Sequence, residues 1–174
     1  MASMDKVEYS SRRTKFFEKM TNNSAAIFFS GLSKKASADH DYPFIVNKNF
    51  FYLTGIEQEN SALIFVKVNQ EQYSYLFIDQ FDELKEKWTG KRLTVEQAQN
   101  ISGIHNVFFS QHLESKLHNI LREDENQYGK IATLYLDLED DLKIGNSVTT
   151  LTYKEELLKK YKMTVENDYP IVIR

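Results

Sequence analysis

Cysteine is absent from this chain of 174 residues. That excludes disulfides, thiolate zinc sites and a cysteine nucleophile, and it is compatible with a reducing cytoplasmic compartment. Glycine is scarce. The six glycines stand apart from one another, so neither a Gly-x-Gly-x-x-Gly turn nor a P-loop can be built. No Gly-x-Ser-x-Gly nucleophile elbow occurs either. Basic excess is also missing. A net charge of −3 gives no electrostatic footprint for nucleic acid or for an anionic membrane. The apolar runs are too short to span a bilayer. Met1-Ala-Ser-Met4-Asp5 lacks the charged lead and apolar core of a secretory signal. By residue type alone, no reaction follows from this chain.

A hydrophobic fraction of 41% and a charged fraction of 27% describe one soluble globular domain with a real core. Residues 5–21 read as an amphipathic helix. Val7, Phe16, Phe17 and Met20 share its buried face, and Arg12, Arg13, Lys15 and Lys19 face water. Asn22-Asn23 ends it. Ser24–Gly31 reads as a buried strand and Leu32–Val46 as a long surface loop, a place where function often lies. Phe50–Leu53 reads as a strand closed by the Thr54-Gly55 turn. Leu63–Val68 and Tyr73–Asp79, joined by a polar turn, read as a β-hairpin. Both of its strands are apolar on both faces, which predicts a sheet covered on both sides.

Further on, Thr94-Val-Glu-Gln97 is a capping-box pattern that opens a short helix to about Ile101. A strand over Asn106–Phe109 leads into a helix from Ser110 to about Arg122, with Leu113, Leu117, Ile120 and Leu121 on one stripe. Lys130–Leu138 reads as a strand with Ala132, Leu134, Leu136 and Leu138 at period two. Thr152-Tyr-Lys-Glu155 opens another helix, and Met163–Glu166 and Ile171–Ile173 read as short strands. Helices alternating with strands predict an α/β layer architecture in a single domain over residues 1–174. Tyr169-Pro-Ile-Val-Ile-Arg174 is itself apolar and strand-like, so polypeptide is expected to continue beyond it.

The candidate chemistry is sparse. His112 and His118 are six apart, on different helix faces. His105 sits in a turn and His40 in a loop, and no metal-ligand spacing links any of them. The acidic runs Asp137–Asp141 and Glu123–Glu125 lack the glycine turn of a calcium loop and read as solvated turns. Trp88, the single tryptophan, lies in the polar stretch Glu86-Lys-Trp-Thr-Gly-Lys-Arg92. Its indole either meets a ligand or partner or folds back on its own core. Asp39, in Ser37-Ala-Asp-His-Asp41, reads first as an exposed carboxylate. It could also pair with a peptide amine or an arginine across an interface.

Several segments together resemble a known family. Asp41-Tyr-Pro-Phe-Ile-Val-Asn-Lys-Asn-Phe-Phe-Tyr-Leu-Thr-Gly55 carries five aromatics and one of the two prolines. Arg12-Arg13 with Met20, Ser24-Ala-Ala-Ile-Phe28, Ser37-Ala-Asp39, and Glu86, Trp88, Gly90, Arg92 and Leu93 follow or precede it in order. This series is similar to the N-terminal, non-catalytic domain of aminopeptidase P, in the creatinase and prolidase superfamily. The resemblance covers nearly the whole chain. It departs at Lys91, where the family's Trp-x-Gly-Arg-Arg stretch has arginine, and lysine cannot make the same bidentate contact.

The resemblance implies a mixed β-sheet flanked by helices, ribonuclease-H-like in topology but without that enzyme's carboxylates. It implies a parent enzyme that removes the first residue from peptides with proline second. There a C-terminal pita-bread domain, absent from this chain, holds two divalent metals, usually manganese, through two Asp, one His and two Glu. These ligands have no counterparts here, so this chain is expected to hold no catalytic residue and no metal site. Trp88 and Asp39 align with accessory substrate contacts, Asp39 reaching a neighbouring subunit's site. The implied partners are a proline-containing peptide and further copies in a homo-oligomer, with no nucleic acid and no membrane. Two rival readings stand beside this one: a free-standing, non-catalytic interaction module of the same fold, and the N-terminal domain of a prolidase.

Overall fold

A computed structural model of the chain describes residues 2–31, 35–37, 40–41, 46–80, 92–121, 127–136 and 164–167. Helix α1 spans Ala2–Lys19 and strand β1 Ser24–Phe29. The short strands β2 (Lys35–Ser37) and β3 (His40–Asp41) pair with each other. Then come α2 (Lys48–Thr54), β4 (Ala62–Val68), β5 (Glu71–Ile78) and α3 (Val95–Ser102). Strand β6 (Val107–Phe109) passes through a 3-10 turn, Ser110–His112, into α4 (Leu113–Leu121). Strands β7 (Thr133–Leu136) and β8 (Thr164–Asn167) complete the described elements.

The main sheet has six strands in the order β6-β5-β4-β1-β7-β8. β4 runs antiparallel to both of its neighbours, β1 and β5. Every other pairing is parallel: β5 with β6, β1 with β7, and β7 with β8. The expected mixed, ribonuclease-H-like sheet is therefore present. Its geometry has a simple consequence. Five strands point one way and β4 the other, so five carboxyl ends and the start of β4 share one end of the sheet.

Alternation along the central strands fills both faces. Ala26, Phe28, Leu63, Phe65, Leu76 and Ile78 face one way, against Phe16 and Phe17 of α1, Met20 just after it, Phe50 and Leu53 of α2, and Ala98 of α3. Ala25, Ile27, Ile64, Val66, Tyr75 and Phe77 face the other, against Leu117, Ile120 and Leu121 of α4. The hairpin between β4 and β5 turns through Asn69 and Gln70, both at positive φ (52° and 68°). Such a two-residue turn matches the twist of the strands it joins.

Several expectations need correcting. Phe50–Leu53 is helical, not extended. The Asn47 side chain accepts a hydrogen bond from the Phe50 N–H at 2.9 Å, and Gly55, at φ 75°, returns its N–H to the Phe51 carbonyl at 2.8 Å. A cap at each end overrides the aromatic preference for a strand. Val7 is 67% exposed and not part of the core. Arg13, expected in water, is buried. It donates to the Leu53 carbonyl at 2.9 Å, and Arg12 donates to the Tyr52 carbonyl at 3.1 Å. The two arginines thus satisfy carbonyls left open in the last turn of α2 and meet the negative end of its dipole. Burial pulls the Arg13 guanidinium down to about 10, so it stays charged at neutral pH. Ala132 precedes β7 and is exposed, and Tyr135 is buried with Leu134 and Leu136. The helix expected from Thr152 and the strand at Ile171–Ile173 lie outside the described residues.

Candidate functional site

The rim formed by the strand carboxyl ends is where open α/β sheets place ligands. Here it is built from polar groups. At the end of β1, the Ser30 N–H donates to the Ser61 carbonyl, and the Ser30 carbonyl accepts from the Asn47 N–H, both at 2.9 Å. The second bond joins the two ends of the stretch 31–46, within which Asp39 falls. At the end of β5, Asp79 meets Arg92, with Asp79 Oδ2 2.9 Å from Arg92 Nε. That contact joins the two ends of the stretch 80–91, within which Trp88 falls.

Residues 58–61 link these two roots. The Asn60 N–H donates to the Gly31 carbonyl at 2.8 Å, and Asn60 Nδ2 donates to Asp79 Oδ1 at 3.0 Å. Gln58 Nε2 donates to the Asp79 carbonyl at 3.2 Å, and Gln58 Oε1 accepts from the Leu93 N–H at 2.7 Å. Glu59 Oε2 lies 3.8 Å from Arg92 Nη2. Asn60 has φ 55°, a left-handed conformation that asparagine tolerates better than most residues.

The Arg92 and Asp79 side chains are 4% and 8% exposed. No N–H of Arg92 is aligned for a hydrogen bond on Asp79 Oδ2, so the contact is an ion pair held by charge and by its neighbours. Two opposite charges out of water hold each other strongly, and their desolvation opposes much of that gain. Such a cluster adds little net stability.

Trp88 and Asp39 themselves lie outside the described residues. The structure brings together the roots of the stretches that contain them. Asp79 and Asn60 carried no signal in the sequence reading. Asp79 looked like the last residue of a strand, and nothing in local periodicity pairs it with Arg92.

A divalent metal does not fit the described residues. No group of three or more His, Asp or Glu among them could hold an ion. His105, His112 and His118 are exposed and separate. The side chain of His40 and the runs Asp137–Asp141 and Glu123–Glu125 fall outside the described residues. Among the described residues no helix is long and apolar enough to cross a membrane.

A mixed sheet covered by helices on both faces, with a polar rim at the strand carboxyl ends, defines an α/β domain of layered architecture. The family profile for the aminopeptidase P N-terminal domain matches residues 9–128, and the chain belongs to that family. It is 35% identical over 122 residues to a Xaa-Pro aminopeptidase of Haemophilus influenzae. It is 29% identical over 122 residues to one of Escherichia coli. Each match covers 70% of this chain and 28% of the relative. A solved Bacillus anthracis structure assigned to aminopeptidase P superposes with a TM-score of 0.86 at 31% identity, over 97% of this chain and 39% of that one. The chain therefore spans well under half the length of these relatives.

Proposed function

We propose that this chain is the N-terminal accessory domain of a cytoplasmic, metal-dependent Xaa-Pro aminopeptidase, an enzyme that releases the first residue of peptides with proline second. In this reading residues 1–174 form the accessory unit. Hydrolysis belongs to a separate C-terminal pita-bread domain with two divalent ions, manganese among the candidates. The accessory domain joins subunits into a homo-oligomer and shapes the mouth of the active site. Trp88 lines that mouth, and Asp39 reaches a neighbouring subunit. Proline has no N–H to recognise, so discrimination rests on shape and on apolar contact, which an indole supplies.

The observation that carries this reading is the shared root of the two stretches. Both depart from the end of the sheet where five strands finish, and a single bridge at Asn60 ties them. The test uses the full polypeptide that unites this domain with its catalytic partner. Trp88→Ala is expected to lower kcat/KM for X-Pro peptides about tenfold, a loss near 1.4 kcal/mol, with metal content unchanged. Unaltered kinetics across several X-Pro peptides would remove Trp88 from the site. The purified chain alone, given manganese and an X-Pro peptide, is expected to show no turnover, and turnover there would overturn the accessory reading.

A further inference from the structure

We infer that the cleft between α1 and the first residues of β5 and β6 binds a small oxyanion, with Arg13 as the charge that receives it. The cleft has a volume of about 280 Å³. Helix α1 lends it Ser10, Arg13 and Thr14, the start of β5 lends Gln72 and Ser74, and the turn into β6 lends His105. It lies at the other end of β5 and β6 from the polar rim, so the roles proposed for Trp88 and Asp39 do not bear on it. Three observations carry the site. First, Arg13 is only 6% exposed and still lines the cleft. Its Nη1 is spent on the Leu53 carbonyl. Its Nη2 lies beside Gly103, 3.5 Å from where a Cβ would stand, and Gly103 lines the same cleft. Second, no acidic side chain lines the cleft, and among the described residues none forms an ion pair with Arg13. A charge out of water without a counter-charge is costly, and a bound anion offsets that cost. Third, an adjoining hollow of about 570 Å³ shares Ser10, Gly103 and His105 with the cleft and adds Lys6, again with no acidic side chain. The cleft suits the anionic head of a small molecule and the hollow its body.

The alternative is that Arg13 only closes the last turn of α2 and the cleft holds water. The two differ in what an added carboxylate does. Ser10 is exposed, lines both hollows and stands three positions before Arg13 on α1, a spacing at which helical side chains meet. Ser10→Glu therefore supplies a tethered carboxylate where the free anion is expected. Gln111→Glu adds the same charge at an exposed position that lines neither hollow.

Inorganic phosphate and succinate, titrated separately into the purified chain, are followed by NMR at the Gly103 and His105 amides. At least one of the two is expected to give saturable shifts there, with a Kd of about 1 mM or below. The tighter of them tells whether the head group is a phosphate or a carboxylate. Ser10→Glu is expected to weaken that binding about tenfold or more, and Gln111→Glu to leave it within about twofold. Arg13→Lys is expected to weaken it about tenfold, since an ammonium cannot hold the Leu53 carbonyl and an anion in the same fixed geometry. If Arg13→Lys fails to fold, Ser10→Glu still decides. No saturable shift with either anion overturns the site. So does an affinity in folded Ser10→Glu equal to that of the parent, or an equal loss in Gln111→Glu, which would reduce the effect to net charge.

Discussion

The middle of the sheet and its carboxyl-end rim are held by opposite means. In the middle, Phe65 is fully buried. Its ring lies 4.5 Å from that of Phe17, 5.5 Å from that of Phe16 and 5.9 Å from that of Phe28. All three neighbours are phenylalanine rings, and removal of apolar surface from water supplies most of the stabilisation. At the rim, the closest contacts are an ion pair, two amides and a set of backbone bonds. Charges brought out of water gain little net free energy, because their desolvation opposes their attraction. The comparison separates two tasks: the middle makes the domain fold, and the rim sets where its two outgoing stretches begin.

The sharpest way to break that division is to hollow out the middle. Phe65→Ala removes a ring that three other rings touch. It is expected to lower the unfolding free energy by about 3–5 kcal/mol, read from the midpoint of a urea titration. A loss below about 1 kcal/mol would mean that the aromatic cluster is loosely packed.

A smaller effect is expected at the seam between α1 and α2. Gly55 has φ 75°, and a Cβ there would sit 2.3 Å from Tyr9 Cε2. Gly55→Ala therefore meets both a backbone penalty and a ring that has to move. A destabilisation of about 1–3 kcal/mol is expected, checked by thermal melting. Asn47→Ala removes the cap that accepts from Phe50 and is expected to cost about 1 kcal/mol. Neutral results at both positions would show that α2 does not depend on its caps and would reopen the strand reading of Phe50–Leu53.

What could be read from the chain follows the same division. The β4–β5 hairpin announced itself through two apolar runs around a polar turn. Thr94 and Gln97 form the reciprocal capping box that their spacing predicts, at 3.1 and 3.0 Å. These are local patterns, and local patterns are legible. Helix α2 was not, because its four aromatic and aliphatic residues favour a strand until Asn47 and Gly55 are weighed together. The burial of Arg13 was hidden too, since its partner, the Leu53 carbonyl, lies forty positions away. Asp79 and Arg92 are further apart in sequence than any helical or strand period can relate, so their pairing was not legible in the chain. Trp88 and Asp39 stood out in the chain as a lone indole in a polar stretch and a carboxylate in a loop, and only the family resemblance gave them a role beside a substrate. Their own geometry lies outside the described residues, and their roles stay with the proposal.

The smallest expected change in stability gives the clearest test of the division between middle and rim. In Asp79→Leu combined with Arg92→Met, both buried charges are replaced by apolar side chains. A buried ion pair exchanged in this way is often neutral or even stabilising, because two desolvated charges disappear together. The remaining polar neighbours are not stranded. Asn60 is exposed, and the Glu59 side chain keeps 17% of its surface in water, so solvent can serve both. The Gln58 bonds to the Asp79 carbonyl and the Leu93 N–H are made with the backbone and do not depend on the replaced side chains. Unfolding free energy is therefore expected to stay within about 1 kcal/mol of the parent. A loss of about 3 kcal/mol or more, the size found when a buried charge is left without its partner, would place the rim among the elements that make the domain fold and end the distinction between it and the aromatic middle.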